Sequence, residues 1–236
     1  MILFQYTQPI LETFPNLIGG VIAGHDLHSE SSPPSLTAAY QAEQEAAIAR
    51  IGETPLSEIP SLAGWRTAFR QFGVDPTQYR SAAEALLRRL TKKGDIPSIN
   101  LLVDIGNLVS IRYGLPVAIL DLNQLNPPIT VQFATGDEHF SDLGGSESDT
   151  PNAGEVIFAD PDGAVCARRW CWRQSAGSAA QPTTTDILVT VEAQHANGRV
   201  DVEAAIHDLL SLLKQFAGGR YESALLDTAN PAFSEM

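Results

Sequence analysis

Several things are scarce in this sequence. Cysteine occurs only as Cys166 and Cys171 in 236 residues, too few for a disulfide framework. No apolar run reaches the roughly 18 residues of a membrane span. The N-terminal stretch has no basic residue ahead of an apolar segment, so no secretory signal is expected. Positive charge is thin: 15 Lys and Arg stand against 28 Asp and Glu, a net charge of -13. That balance excludes a surface coated in cations for sequence-blind nucleic-acid binding. GxGxxG, Walker-type and GxSxG patterns are all missing, so dinucleotide, nucleoside-triphosphate and α/β-hydrolase readings lack their signatures. The expectation is a soluble protein of a reducing, cytoplasmic setting, with no cofactor, no metal, no membrane and no DNA partner.

What is present is enough for a core, with 44% apolar and 18% charged residues. The few cations are clustered. Arg66, Arg70, Arg80, Arg88, Arg89, Lys92, Lys93 and Arg112 fall between Ser61 and Tyr113, and Arg168, Arg169 and Arg173 sit together further on. The stretch from Gly114 to Ala167 has no basic residue. An acidic protein with one cationic region follows.

The pattern predicts helices over Ser35–Ile51, Ser61–Phe72, a segment opened by the Ser81/Glu84 capping box and closed near Gly94, Ile99–Tyr113 capped by Ser98, and an amphipathic segment after Asp201. Strands are expected at Leu17–Gly24, Val117–Leu122, Ile129–Ala134, Val156–Ala159, Ala164–Trp172 and Ile187–Ala193, with Asp160–Gly163 as a hairpin turn. The fold class is α/β (α+β), with helices packed on a mixed, mostly antiparallel sheet. Residues 1–60 read as an N-terminal strand and helix packed on the main domain, 61–220 as that domain, and 221–236 as an irregular tail.

Four groups of residues carry chemistry. His25 and His28 offer two imidazoles but no completing ligands, so a solvated loop is the expectation rather than a metal centre. Cys166 and Cys171 read as buried structural thiols. Asn100, Asp104 and Asn107 stand at i, i+4 and i+7 and share one helical face, which is either a solvated stripe or a site. Trp170 and Trp172 alternate with Cys171 and Arg173 on a predicted strand; aromatics with arginine suit a stacking surface for a base, although such tryptophans are more often core.

The run from Pro97 to Val109, followed by Leu115–Asp121, resembles the editing domain of the β subunit of phenylalanyl-tRNA synthetase, the B3/B4 module. Gly154–Asp160, Gly163–Val165, Thr185 and the strand through Glu192 fit its second half. The chain is similar to freestanding forms of this module, and the likeness spans Trp65 to Gln194. In the synthetase the domain hydrolyses the ester joining a wrong amino acid, chiefly tyrosine, to the tRNA 3′ end. The resemblance therefore implies a deacylase acting on mischarged aminoacyl-tRNA, or alternatively a non-catalytic tRNA-binding module.

Residue by residue, it puts Asn107 on the pocket asparagine, Gly106 where a threonine is usual, and Pro116 on the pocket proline. Ala118 stands in place of the histidine, and Glu192 on the glutamate that reads the side chain. Asn107, Asp104 and Glu192 are then the expected catalytic set, and Asn100, Gly106, Pro116, Ala118 and Trp172 the expected substrate contacts. Arg168, Arg169, Arg173, Arg88, Arg89, Lys92 and Lys93 would meet RNA phosphates. The departure at Ala118 implies an amino acid other than tyrosine.

Overall fold

A computed structural model describes residues 1–142 and 148–235. Two large sheets, a separate two-stranded one and six α-helices make the fold among these residues. The strand β1 (Ile2–Tyr6) is followed by a short helix α1 (Gln8–Thr13) and β2 (Ile18–His25). Four helices come next: α2 (Pro34–Ile51), α3 (Pro60–Gln71), α4 (Ala82–Lys93) and α5 (Leu101–Tyr113). The β-rich half comprises β3 (Val117–Asp121), β4 (Ile129–Phe133), β5 (Phe140–Ser141), β6 (Ser148–Asp149), β7 (Val156–Ala159), β8 (Val165–Arg168), β9 (Arg173–Gln174) and β10 (Ile187–Ala193). The last helix, α6 (Gly198–Phe216), precedes β11 (Arg220–Leu226) and β12 (Ala232–Ser234).

The four-stranded sheet has the order β11-β2-β10-β3 and is antiparallel throughout. The six-stranded sheet runs β12-β1-β4-β7-β8-β9, with β1 and β4 parallel and the other pairs antiparallel. All seven residues of β10 are buried, as a central strand covered on both faces demands. Alternation along it separates two cores. Ile187, Val189 and Val191 face α5 and α6 on one side, whereas Leu188 faces β1, β4, β7 and α3 on the other.

Local signals account for the helix ends. The Ser81 hydroxyl accepts from the Glu84 amide, and Gly94 closes α4 in the left-handed region at φ 84°. α5 is capped by Asn100, whose side chain accepts from the Val103 amide, and not by Ser98. Ser98 instead donates to Asp104. α6 begins at Gly198, which places Asp201 inside its first turn instead of at the cap.

Three expectations of organisation are corrected. Residues 1–60 are no appendage, because β2 lies between β11 and β10 and β1 lies between β12 and β4. The segment after Tyr221 is not irregular: Arg220–Leu226 pairs along its whole length with β2. Only Leu226 in it is buried, and its mix of exposed and half-buried residues hides it from a search for apolar runs. The predicted strand Ala164–Trp172 ends at Arg168, because Arg169 (φ 45°) and Trp170 (φ 60°) take left-handed backbone conformations that turn the chain. The two indoles therefore do not share a strand face.

Candidate functional site at the inter-sheet cavity

Between the two sheets lies a cavity of about 60 Å³. Ala118, Thr190 and Glu192 reach it from the four-stranded sheet, Phe158 and Ala167 from the six-stranded one, and Trp170–Gln174 from the turn and strand that cross its rim. α4 starts at this rim, where the Ala82 amide donates to the Cys171 carbonyl at 2.7 Å.

Among the described residues Glu192 is the one carboxylate lining the cavity, and it is 2% exposed. Its Oε1 accepts from the Tyr6 hydroxyl at 2.8 Å and from Trp170 Nε1 at 3.1 Å, with Oε2 at 3.2 Å from the same indole nitrogen. Removal from water pushes its pKa up to about 7, although both donors pull it down. Tyr6 can reach because Gly19, opposite Glu192 in the β10–β2 register, carries no side chain: a Cβ there would sit 2.1 Å from the Tyr6 hydroxyl. The carboxylate is thus fixed by neutral donors, with acceptor capacity left on Oε2.

The rim is aromatic and cationic. The Arg169 guanidinium stacks 3.9 Å from the Tyr79 ring and 4.5 Å from the Trp172 ring, and Arg173 lies 4.6 Å from Trp172. Tyr79 meets Trp172 edge-on at 5.0 Å. Trp172 is therefore held by protein cations and is not a bare platform for a nucleobase. Trp170 is fully buried among Phe14, Trp65 and Phe72.

The structure divides the residues singled out from sequence. Pro116, Ala118, Trp172 and Glu192 come together at the cavity. The helical stripe does not. α5 packs on the opposite face of the four-stranded sheet, where a Cβ on Gly106 would lie 3.1 Å from Ile119. Asn107 lies on the α5 face that packs toward α2 and does not line the cavity. Asn100 caps α5 and donates to the Ala180 carbonyl at 3.2 Å. Asp104 is wholly buried and accepts from Ser32, Ser98 and the Ile99 amide. The polar face of α5 is spent on anchoring loops.

The arginines divide too. Arg168 is 5% exposed in its side chain and binds Glu155 through Nε at 2.9 Å and Nη2 at 3.2 Å, with Asp149 as a further partner. Arg169 is 9% exposed and lies 3.4 Å from Glu155. These two are internal ion pairs, unavailable to phosphates. Arg173 is exposed and pairs with Asp142. Arg88, Arg89, Lys92 and Lys93 are exposed along α4, with Arg89 paired to Asp95. Arg88 and Lys92 line a groove of about 450 Å³ together with Arg66 and Arg80, which pair there with Glu84, the single acid among the described residues that line it.

His25 contacts Asp186 and Glu235, each at 2.6 Å, and His28 is exposed. No group of three or more metal-ligating side chains forms among the described residues. Both thiols are held protonated by burial, Cys166 up to about 12 and Cys171 well above its usual range, the latter also by the Glu192 charge. Among the described residues no helix is long and apolar enough to cross a membrane. Tyr6 and the cavity-lining Thr190 escaped sequence reading. The Gly19–Gly20 pair was the one local hint that a side chain crosses β2.

An α+β domain whose two sheets enclose a buried carboxylate is what fold and site define. The family model of the B3/4 domain matches residues 64–218, and the chain belongs to that family. It is 33% identical over 86 residues to the phenylalanine–tRNA ligase beta subunit of Photorhabdus laumondii, a match covering 36% of this chain and 11% of that protein. The crystal structure of an N-terminal fragment of the phenylalanyl-tRNA synthetase beta subunit from Pyrococcus horikoshii matches 93% of this chain and 50% of its own, with a TM-score of 0.48 at 14% identity. The chain thus spans a small part of the one relative and half of the other fragment.

Proposed function

We propose that this protein takes the aminoacylated 3′ end of tRNA at the Glu192 cavity and hydrolyses the ester of a mischarged amino acid, as a quality-control step in the cytoplasm. One observation carries this reading: a buried carboxylate, fixed by Tyr6 and Trp170, lines a cavity that Pro116 and Ala118 also line. A carboxylate there suits an ammonium or hydroxyl partner. An aminoacyl ester is already activated, so no covalent nucleophile is required, and holding the carbonyl against an attacking water lowers much of the barrier. Glu192 anchors the aminoacyl group. Arg173, exposed at the rim beside Asp142, would meet negative charge developing on the ester oxygen. In the groove along α4, Arg66 and Arg80 pair with Glu84, and the exposed Arg88 and Lys92 suit the phosphates of the acceptor strand.

The test is ester loss from a panel of charged tRNAs, with Glu192→Gln as the control. Acceleration that the substitution abolishes is the expected result, and no acceleration across the panel overturns the enzymatic reading. A second reading, a tRNA-binding module without turnover, is favoured by two observations. Ala118 supplies no polar atom where the family has histidine, and Asn107 does not line the cavity. Retained tRNA binding by a protein that leaves every ester intact would select it.

A further inference from the structure

A groove of about 400 Å³ lies among the helices and shares no lining residue with the Glu192 cavity. Four helix ends meet there: the C-termini of α2 and α5 and the N-termini of α3 and α6. Two glycines permit the approach. A Cβ on Gly64 of α3 would lie 2.5 Å from the Gln194 carbonyl oxygen, and one on Gly114, which ends α5, 2.7 Å from the Ser61 hydroxyl. The start of α3 is thereby drawn against the stop of α5 and against the loop between β10 and α6.

The geometry points to this groove as a second ligand site, one that takes the phosphate of a small phosphomonoester with an apolar body. Helix polarity is the first observation. Neither N-cap residue, Ile59 of α3 nor Asn197 of α6, closes its helix with a side-chain hydrogen bond. First-turn amides of both helices are thus open to an outside acceptor, and the aligned peptide dipoles favour negative charge at both ends.

His195 is the second observation, independent of the first. Its side chain is 8% exposed and Asp201 holds its Nε2 at 2.7 Å. Its Nδ1 has no hydrogen-bond partner among the described residues, and His195 lines the groove. A buried polar nitrogen left unpaired is costly. The protonated ring would donate to Asp201 from one nitrogen and to a ligand oxygen from the other.

The remaining lining agrees with an oxyanion. Among the described residues Asp201 is the one carboxylate in the groove, and His195 faces it. Arg112 is held by Glu43 and Asp208, whereas Arg50 is 49% exposed and meets Glu43 at 3.3 Å. Donors from α3, α6 and the imidazole come from different elements, which suits a tetrahedral phosphate with acceptors on every side better than a planar carboxylate. Ile51, Ile59, Leu87 and Ile111 supply apolar wall for the rest of the ligand.

The experiment is calorimetric titration of phenyl phosphate, inorganic phosphate and benzoate into the full chain and into Ser61→Ala and His195→Phe. Phenyl phosphate is expected to bind at least about tenfold tighter than either of the others. Each substitution should weaken it about tenfold, with Ser61→Ala melting as the wild type does. Absence of phenyl phosphate binding overturns the inference. Benzoate binding as tightly overturns the phosphate preference, and inorganic phosphate binding as tightly overturns the apolar body. Should His195→Phe fail to fold, Ser61→Ala decides, and unchanged affinity there overturns the site. A loss produced instead by Arg88→Ala with Lys92→Ala would put the anion in the α4 groove and overturn it as well.

Discussion

The Tyr6 hydroxyl donates a 2.8 Å hydrogen bond to Glu192 across a separation of 186 residues. This contact ties the first strand of one sheet to the central strand of the other, and it sets the charge state of the cavity. The bond stabilises the ionised carboxylate and pulls its pKa down against the effect of burial.

Removing that donor should shift titration upward. In Tyr6→Phe the Glu192 pKa should rise above about 7, and the binding of an aminoacyl ligand at the cavity should set in at higher pH. Gly19→Ala should do the same by pushing the Tyr6 ring aside, because its Cβ would overlap the hydroxyl. Ligand titrations between pH 5.5 and 9 check both; an unchanged midpoint in either variant contradicts the account.

Stability should depend on the same carboxylate. Its folded pKa lies above its unfolded value, so its protonated form favours the native state, fully below about 4.5 and progressively less as pH rises through about 7. The difference amounts to on the order of 3 kcal/mol. Thermal melts from pH 5 to pH 8 should show wild type losing stability relative to Glu192→Gln, which does not titrate.

The arginines separate into structural and exposed groups. Arg168→Ala leaves Glu155, 5% exposed, without its bidentate partner, and should cost about 3–5 kcal/mol. Arg88→Ala with Lys92→Ala, both on the surface of α4, should leave the melt within about 0.5 kcal/mol while weakening tRNA binding and flattening its salt dependence. Urea unfolding beside filter binding at two salt concentrations tells the two classes apart.

Asp104 and Asn107 lie on the face of the sheet away from the cavity. Asp104→Ala orphans the Ser32, Ser98 and Ile99 donors and should lose about 2–4 kcal/mol. Asn107→Ala should leave ligand affinity at the cavity within about twofold. A large loss of affinity in Asn107→Ala, with the melt unchanged, would return it to the site.

These contrasts mark how far the sequence was legible. Helices with local punctuation were readable, as α4 shows with its Ser81 cap and Gly94 stop, and so was the Asp160–Gly163 hairpin between β7 and β8. Strands β1, β11 and β12 were not, since they are short or half-exposed and gain their order from distant partners. In the site, the i, i+4, i+7 stripe of α5 established a shared face but not what that face meets. It meets α2 and the loops around Ser32 and Ser98. Likewise, a triplet of arginines says nothing of its countercharges, and Glu155 and Asp149 neutralise Arg168 from a stretch that looked uniformly anionic.

The left-handed pair Arg169–Trp170 gives the molecule its own internal gauge. Neighbouring α-carbons send one side chain under the rim to grip Trp172 and the other into the core to grip Glu192. An occupant that loosens the outer grip therefore disturbs the inner one through a single peptide link. The emission of the indoles on either side of that link should register such an event in the unlabelled protein.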